Sequence, residues 1–184
     1  MTKKRILGVI GLGHVGAHVA YALAVQGIAD ELVLVDQNRQ KLASEVQDLR
    51  DAAAYLPHRV TVRAGDFAEL GACDVIVNSV GKIELLRGTH DRVTEMDFTI
   101  PAVRGYAQKV KDSGFDGVLI NITNPCDIVT RELALGLGLP REAHAGPGRE
   151  LLVAVLAQHI AGDGLVVKTG LARERAHPSR HGAR

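Results

Sequence analysis

The residues with the clearest chemical potential are Gly11-Leu12-Gly13-His14-Val15-Gly16, and the acid Asp36 downstream of them. The glycine spacing makes three physical demands. Gly11 permits a tight turn, Gly13 lets a backbone approach a pyrophosphate, and Gly16 allows a helix to pack closely on a strand. The N–H groups at the start of the helix that follows then face anionic oxygens. Asp36 stands at the roughly 20-residue offset at which an acidic strand end accepts the hydroxyls of a ribose. A carboxylate there repels a 2′-phosphate, so the pattern reads as a site for NAD rather than NADP. A glycine turn of purely structural use, with Asp36 solvated, is the bland alternative. The strand before the turn and the helix after it favour the dinucleotide. His14 reads as a variable position beside the cofactor phosphates, not as a catalytic group.

Holding such a turn requires a particular order of elements. Residues 5–10 (RILGVI) form a short apolar run stopped by glycine, as a buried parallel strand does. Residues 15–24 carry apolar side chains at helical spacing, ended by Gly27. ELVLV (31–35) is the next strand, and 39–54 is a helix with Leu42, Val46 and Leu49 on one face. Strands follow at 59–64, 75–80 and 117–122. A helix spans 93–113, with Pro101 kinking it or opening a second one, and another spans 127–137. This alternation predicts an α/β fold, a doubly wound parallel sheet of Rossmann type.

Composition excludes several classes. The 184 residues are 46% hydrophobic and 23% charged, which suits one globular domain rather than a disordered chain. A net charge of +1 gives no field that would recruit nucleic acid or a membrane surface. No stretch reaches the roughly 18 apolar residues of a membrane helix. The basic start MTKKR is followed by an apolar run broken by glycines, unlike a signal peptide, so the expected location is cytoplasmic. Cys73 and Cys126 match no metal spacing and read as reduced, packed thiols.

Two further stretches, GKIELLRGTHDRVTEMDFT (81–99) and NITNPCDIVTREL (121–133), follow the fourth and fifth strands. Together with GLGHVG, LVDQN and KLASEVQDLRDA they resemble the lactate/malate dehydrogenase superfamily, most nearly its L-2-hydroxyisocaproate type. The resemblance covers residues 5 to about 140. It implies NAD as cofactor and hydride transfer between NADH and a 2-oxo acid. In that family the loop after the fourth strand carries an arginine that polarises the substrate carbonyl, where negative charge builds as hydride arrives. Arg92 matches it. Asn124 matches the asparagine of the family's NPxD turn, whose amide hydrogen-bonds the substrate oxygen. Pro125 stiffens that turn, and Asp127 is expected to cap the next helix. Val80, Gly81, Ile122 and Asn124 lie at strand C-terminal ends, where ribose and nicotinamide are expected to pass. An apolar Leu85 or Leu86 in the loop suits an apolar substrate side chain. Arg87 is a malate-type exception at too short an offset from Arg92. The family is homo-oligomeric, with KLASEVQDLRDA at a subunit contact.

The pattern stops near Pro140. Residues 141–184 hold seven of the 22 Lys and Arg, four of the 21 Asp and Glu, and four of the eight histidines. The reading is an NAD-binding domain over 1–140 and an atypical tail over 141–184, a truncated or frame-disrupted start of a substrate domain, most of which is missing. AGPG (145–148) echoes the family's glycine-rich stretch, and LLVAVLAQHI reads as a remnant of the next helix. No LDxxR segment is present. Arg149 and His181 lack flanks that would place them in a site, and His181 reads as part of a basic tail. Two functions remain open: an L-2-hydroxy-acid dehydrogenase of the L-lactate or L-2-hydroxyisocaproate type, or a non-catalytic NAD-binding fragment or interaction module without the catalytic histidine.

The acid at the second strand end gives a direct test. NADH is expected to bind more tightly than NADPH, and Asp36→Ala to weaken NADH by about 1–3 kcal/mol, the scale of charged hydrogen bonds lost. Isothermal calorimetry with both nucleotides checks this; equal affinities before and after the substitution would remove Asp36 from the site.

Overall fold

A computed structural model describes residues 3–82, 92–138, 152–161 and 164–170. Its centre is a sheet in the order β3-β2-β1-β4-β5-β6-β7. The strands are β1 (Ile6–Ile10), β2 (Glu31–Val35), β3 (Thr61–Ala64), β4 (Val75–Asn78), β5 (Val118–Asn121), β6 (Leu152–Ala161) and β7 (Gly164–Gly170). The helices are α1 (His14–Val25), α2 (Arg39–Ala53), α3 (Arg92–Asp112) and α4 (Cys126–Leu137). β1 pairs in parallel with both β2 and β4, so the strand order reverses beside it. An open sheet of this kind offers a ligand crevice at that reversal, outside the carboxyl ends of the strands.

The central strands β1 and β2 are largely apolar because helices cover both of their faces. Four of the five residues of β1 and of β2 are buried. Alternate side chains divide between two cores, as a period of two requires. Val9, Leu32 and Leu34 pack with Ala20, Leu42 and Leu49 of α1 and α2. Ile10, Val33, Ile76 and Leu119 pack with Val103, Val110 and Leu133 of α3 and α4. The Leu42, Val46 and Leu49 face predicted for α2 is buried. Asn38 caps α2 by accepting the Lys41 N–H at 3.0 Å.

Three local expectations change. α3 runs from Arg92 to Asp112 with Pro101 inside it, so of the two alternatives the single helix stands and the second helix opening at Pro101 does not. Asp127 lies within the first turn of α4, whose N-cap is Pro125 with no side-chain cap bond. Asp127 therefore acts on the helix dipole rather than as a cap. LLVAVLAQHI, read as a helix remnant, instead contributes strand β6, parallel to β5 with Val118 opposite Leu152. A continuous apolar run of this length fits a buried strand or helix equally by periodicity, and the open edge of β5 needs a hydrogen-bonding partner. A short 3-10 segment, Phe67–Ala72, was also not foreseen; Asp66 and Glu69 close a capping box at its start.

Ion pairs gather at the amino ends of the strands. Arg5 meets Asp30 through two side-chain bonds of 2.8 and 3.0 Å, and Arg63 Nε donates to Glu31 at 2.7 Å. The Arg5 bonds hold the Asp30 carboxyl well below the usual range, and Arg63, then Lys4, lowers that of Glu31. A depressed carboxylate adds stability above its unfolded pKa, and that stability is lost as pH falls through the folded value. Thermal stability should therefore decline on acidification below the ordinary glutamate value of 4.5. Glu31→Gln is expected to flatten part of that decline in melts recorded from pH 7 to 3; an unchanged slope would remove the pair from the acid response.

Candidate cofactor cleft

The glycine turn is built by backbone touching backbone. Gly11 has φ +85°, a left-handed conformation, and a Cβ there would lie 3.0 Å from the Val80 backbone. Its N–H donates to the Val35 carbonyl at 2.8 Å, tying the turn to the end of β2. A Cβ on Gly16 would stand 1.9 Å from the Gly11 carbonyl oxygen, so α1 could not start here with any side chain at that position. The Ser79 hydroxyl donates to the same carbonyl at 2.7 Å. At Gly13 a Cβ would meet nothing within 4 Å. Gly13 is also the N-cap of α1 and supplies no side-chain cap, so no side chain from that position takes up the opening N–H groups of the helix. An open backbone approach beside uncapped N–H groups is what a pyrophosphate requires.

Asp36 sits against this turn. Its two oxygens accept the Leu12 N–H at 2.6 Å and the Asn38 N–H at 2.8 Å, which aims the carboxylate along the cleft wall. A cleft of about 530 Å³ runs from Gly11 and Gly13 past Asp36 to Val80, Gly81 and the Tyr106 face of α3. A neighbouring cleft of about 610 Å³ shares Asp36 and Phe67 but none of the glycine turn.

The residues marked in the sequence fall as follows. Leu12 is fully buried, so only its backbone takes part in the turn. His14 and Val15 are exposed at the start of α1, and His14 stacks at a tilt on His18, ring centres 4.4 Å apart. Val80 packs against Gly11, and Gly81 is exposed at the end of β4. The Ile122 N–H donates to the Asn78 carbonyl at 3.0 Å, leading β5 into the turn of Asn124. Asn124 is half-buried, precedes a cis bond to Pro125, and its amide has no hydrogen-bond partner among the described residues. Arg92 opens α3, while the loop residues Leu85, Leu86 and Arg87 and the tail residues Arg149 and His181 lie outside the described residues.

Acid–base chemistry is scarce in this cleft. Of the histidines with described side chains, His14 and His18 are exposed on α1 and His58 bonds the Ala24 carbonyl at 2.7 Å; none lines the cleft. Burial pushes the Cys73 thiol up to about 12, and burial followed by Asp127 raises Cys126, so neither is a thiolate at neutral pH. Among the described residues no cluster of His, Cys, Asp or Glu could hold a metal ion, and no helix is long and apolar enough to cross a membrane.

Asn78, Asn121, Tyr106 and Thr130 carry no role in the sequence reading, yet with Thr123 they bond to one another at the ends of β4 and β5. The available signal was a polar asparagine closing each of two apolar strands, VIVN and VLIN.

This arrangement, a parallel sheet with a glycine turn and acidic strand end at its reversal, defines a dinucleotide-binding domain. Residues 5–143 match the family model for the NAD binding domain of lactate/malate dehydrogenase, and the chain belongs to that family. NAD is its cofactor, and the open cradle at Gly13 with Asp36 beside it fits that group. The chain is 38% identical over 154 residues to L-lactate dehydrogenase of Fusobacterium nucleatum, covering 82% of this chain and 46% of that protein. It is 34% identical over 151 residues to L-lactate dehydrogenase 1 of Bifidobacterium longum, covering 82% and 47%. The ligand-bound structure of minor L-lactate dehydrogenase from Enterococcus mundtii superposes with a TM-score of 0.69 at 31% identity, over 76% of this chain and 44% of that one. The chain thus spans just under half the length of these relatives.

The glycines separate folding from binding. Gly13→Val is expected to cost about 1 kcal/mol or less of stability, since a Cβ there has no protein atom within 4 Å, yet to abolish NADH binding. Gly16→Ala should cost about 2 kcal/mol or more by driving α1 off the turn. Thermal melts and NADH titrations of both variants check this, and a Gly13→Val protein that binds normally would show the cradle is not used.

Proposed function

We propose that this chain forms the cofactor-holding part of an NAD-dependent L-2-hydroxy-acid dehydrogenase of the L-lactate or L-2-hydroxyisocaproate type. The observation that carries the reading is the single cleft that joins the open turn at Gly13, the Asp36 carboxylate and the Val80–Gly81 strand end. NAD, when bound, supplies or accepts the hydride. The N–H groups at Gly13, His14, Val15 and Gly16 hold its phosphates, Leu12 contributes backbone to the turn, and Asp36 takes the adenosine ribose. Val80, Gly81, Ile122 and Asn124 border the nicotinamide end. Arg92 polarises the carbonyl of a small 2-oxo acid, and the Asn124 amide donates to the same oxygen. Residues 1–140 make the NAD-binding domain, and 141–184 stand in place of the start of a substrate domain. A cytoplasmic location and a homo-oligomer contact through α2 belong to the same reading.

A second reading is favoured by two observations: none of the histidines with described side chains lines the cleft, and no LDxxR segment occurs in the sequence. Reduction of a 2-oxo acid needs a proton donor beside the forming alkoxide and a cation on the carboxylate. On this reading neither group is supplied by the chain, which then binds NADH without turning substrate over.

One experiment separates the two. NADH fluorescence titration measures binding, and loss of NADH absorbance with pyruvate or 2-oxoisocaproate measures turnover. The expected result is saturable binding with turnover at the background rate. Turnover that disappears in His181→Gln would place the tail in the active site, and absence of NADH binding would sink both readings.

A further inference from the structure

The ends of β4 and β5 carry a buried polar cluster that the glycine turn does not require. Asn78 and Asn121 are direct partners in the parallel register, and both are 0% exposed. The Tyr106 hydroxyl, reaching from α3, donates to Asn78 Oδ1 at 2.5 Å. Asn78 Nδ2 donates to Asn121 Oδ1 at 2.8 Å and lies 3.3 Å from Thr123 Oγ1. Asn121 then reaches into the following loop. Its Nδ2 lies 3.0 Å from Thr130 Oγ1, 3.1 Å from the Cys126 carbonyl and 3.3 Å from the Thr123 carbonyl. Its Oδ1 also accepts the Thr123 N–H at 3.2 Å. The backbone from 122 to 126 is wrapped around one side-chain amide.

Apolar residues at 78 and 121 would fill a sheet centre without such demands, because a buried amide is costly unless its donors and acceptors are all met. Here they are met from four elements: β4, β5, α3 and α4. A satisfied network of this kind has direction as well as packing, and it fixes one arrangement of the backbone it holds. The backbone it holds carries Asn124, whose own amide is left without a partner among the described residues. Tyr106 also lines the cofactor cleft, so the network runs from the cleft wall to that turn.

We propose that Asn121, held in place by Asn78 and Tyr106, is a positioning residue that sets the Asn124 amide against the nicotinamide end of the cleft. The inference rests on the reading above that Asn124 borders that end. Its chemistry is the usual one of a reacting group that must be held to a fraction of an ångström: an amide on a loosely tethered loop donates to many places, and on a fixed loop to one.

The test compares NADH with ADP-ribose, which carries the adenosine and both phosphates but no nicotinamide. Titrations on the full chain are made with Asn121→Ala, Tyr106→Phe, Asn124→Ala and the Tyr106→Phe/Asn124→Ala pair. ADP-ribose binding reports folding and the glycine cradle. The margin by which NADH binds more tightly, with the nicotinamide fluorescence enhancement, reports the turn. Asn121→Ala is expected to reduce that margin by about tenfold, the scale of a lost hydrogen bond, with ADP-ribose affinity unchanged. Tyr106→Phe, which keeps the ring and loses only the hydroxyl, should act in the same direction by a smaller factor. Its effect should vanish in the Asn124→Ala background, because both changes act through one amide. Equal weakening of NADH and ADP-ribose, or an unchanged margin in both Asn121→Ala and Tyr106→Phe, would overturn the proposal. Failure of the unsubstituted chain to bind ADP-ribose would overturn the cofactor-site reading and this inference with it.

Discussion

The fold turns on one contact between backbones, where the start of α1 rests on the carbonyl of Gly11. No side chain fits between them, since a Cβ at Gly16 would overlap that oxygen. The contact sets the direction in which α1 leaves β1, and hence the direction of its uncapped N–H groups. Two more bonds lock it to neighbouring strands, Ser79 to the Gly11 carbonyl and the Gly11 N–H to Val35. The cradle is therefore assembled from three strand ends at once, and the open space at Gly13 is a consequence of how tightly its neighbours are joined.

Charge is arranged by the same polarity of the sheet. At the amino ends of the strands, Lys3, Lys4 and Arg5 pair with Asp74, Glu31 and Asp30, all of them at least partly exposed. Pairs so exposed contribute little individually, roughly 0–1 kcal/mol. At the carboxyl ends Asp36 accepts the backbone N–H groups of Leu12 and Asn38 and has no ion-pair partner among the described residues. The carboxylate is thereby oriented along the wall of the cleft.

The cleft contrasts with the cluster beside it. The turn around Gly11 and Gly13 leaves open backbone and no side-chain cap at the start of α1, while the Asn78, Asn121 and Tyr106 cluster closes its polar groups on one another. Burial raises the Tyr106 hydroxyl above its ordinary value, with the bond to Asn78 acting in the opposite direction, so it stays a neutral donor.

The sequence by itself determined most of the local elements and the glycine turn. Apolar runs closed by Gly11, Asp36 and Gly81 fix buried strands because every side chain in them must leave water, and the glycine spacing admits few other turns. Family likeness in the Arg92 and Asn124 stretches was legible for the same reason, since motifs record local geometry. Only the tertiary structure decided which strand lies beside which. LLVAVLAQHI satisfies helix and strand alike until the edge of β5 asks for a partner. Asn78 and Asn121 stand 43 positions apart, and either one alone at a strand end is an ordinary polar residue. They become one unit through parallel register, with a tyrosine 28 positions from Asn78 completing it. Long-range pairing of this sort has no signature in spacing, because it depends on which buried groups remain unsatisfied once the sheet has formed.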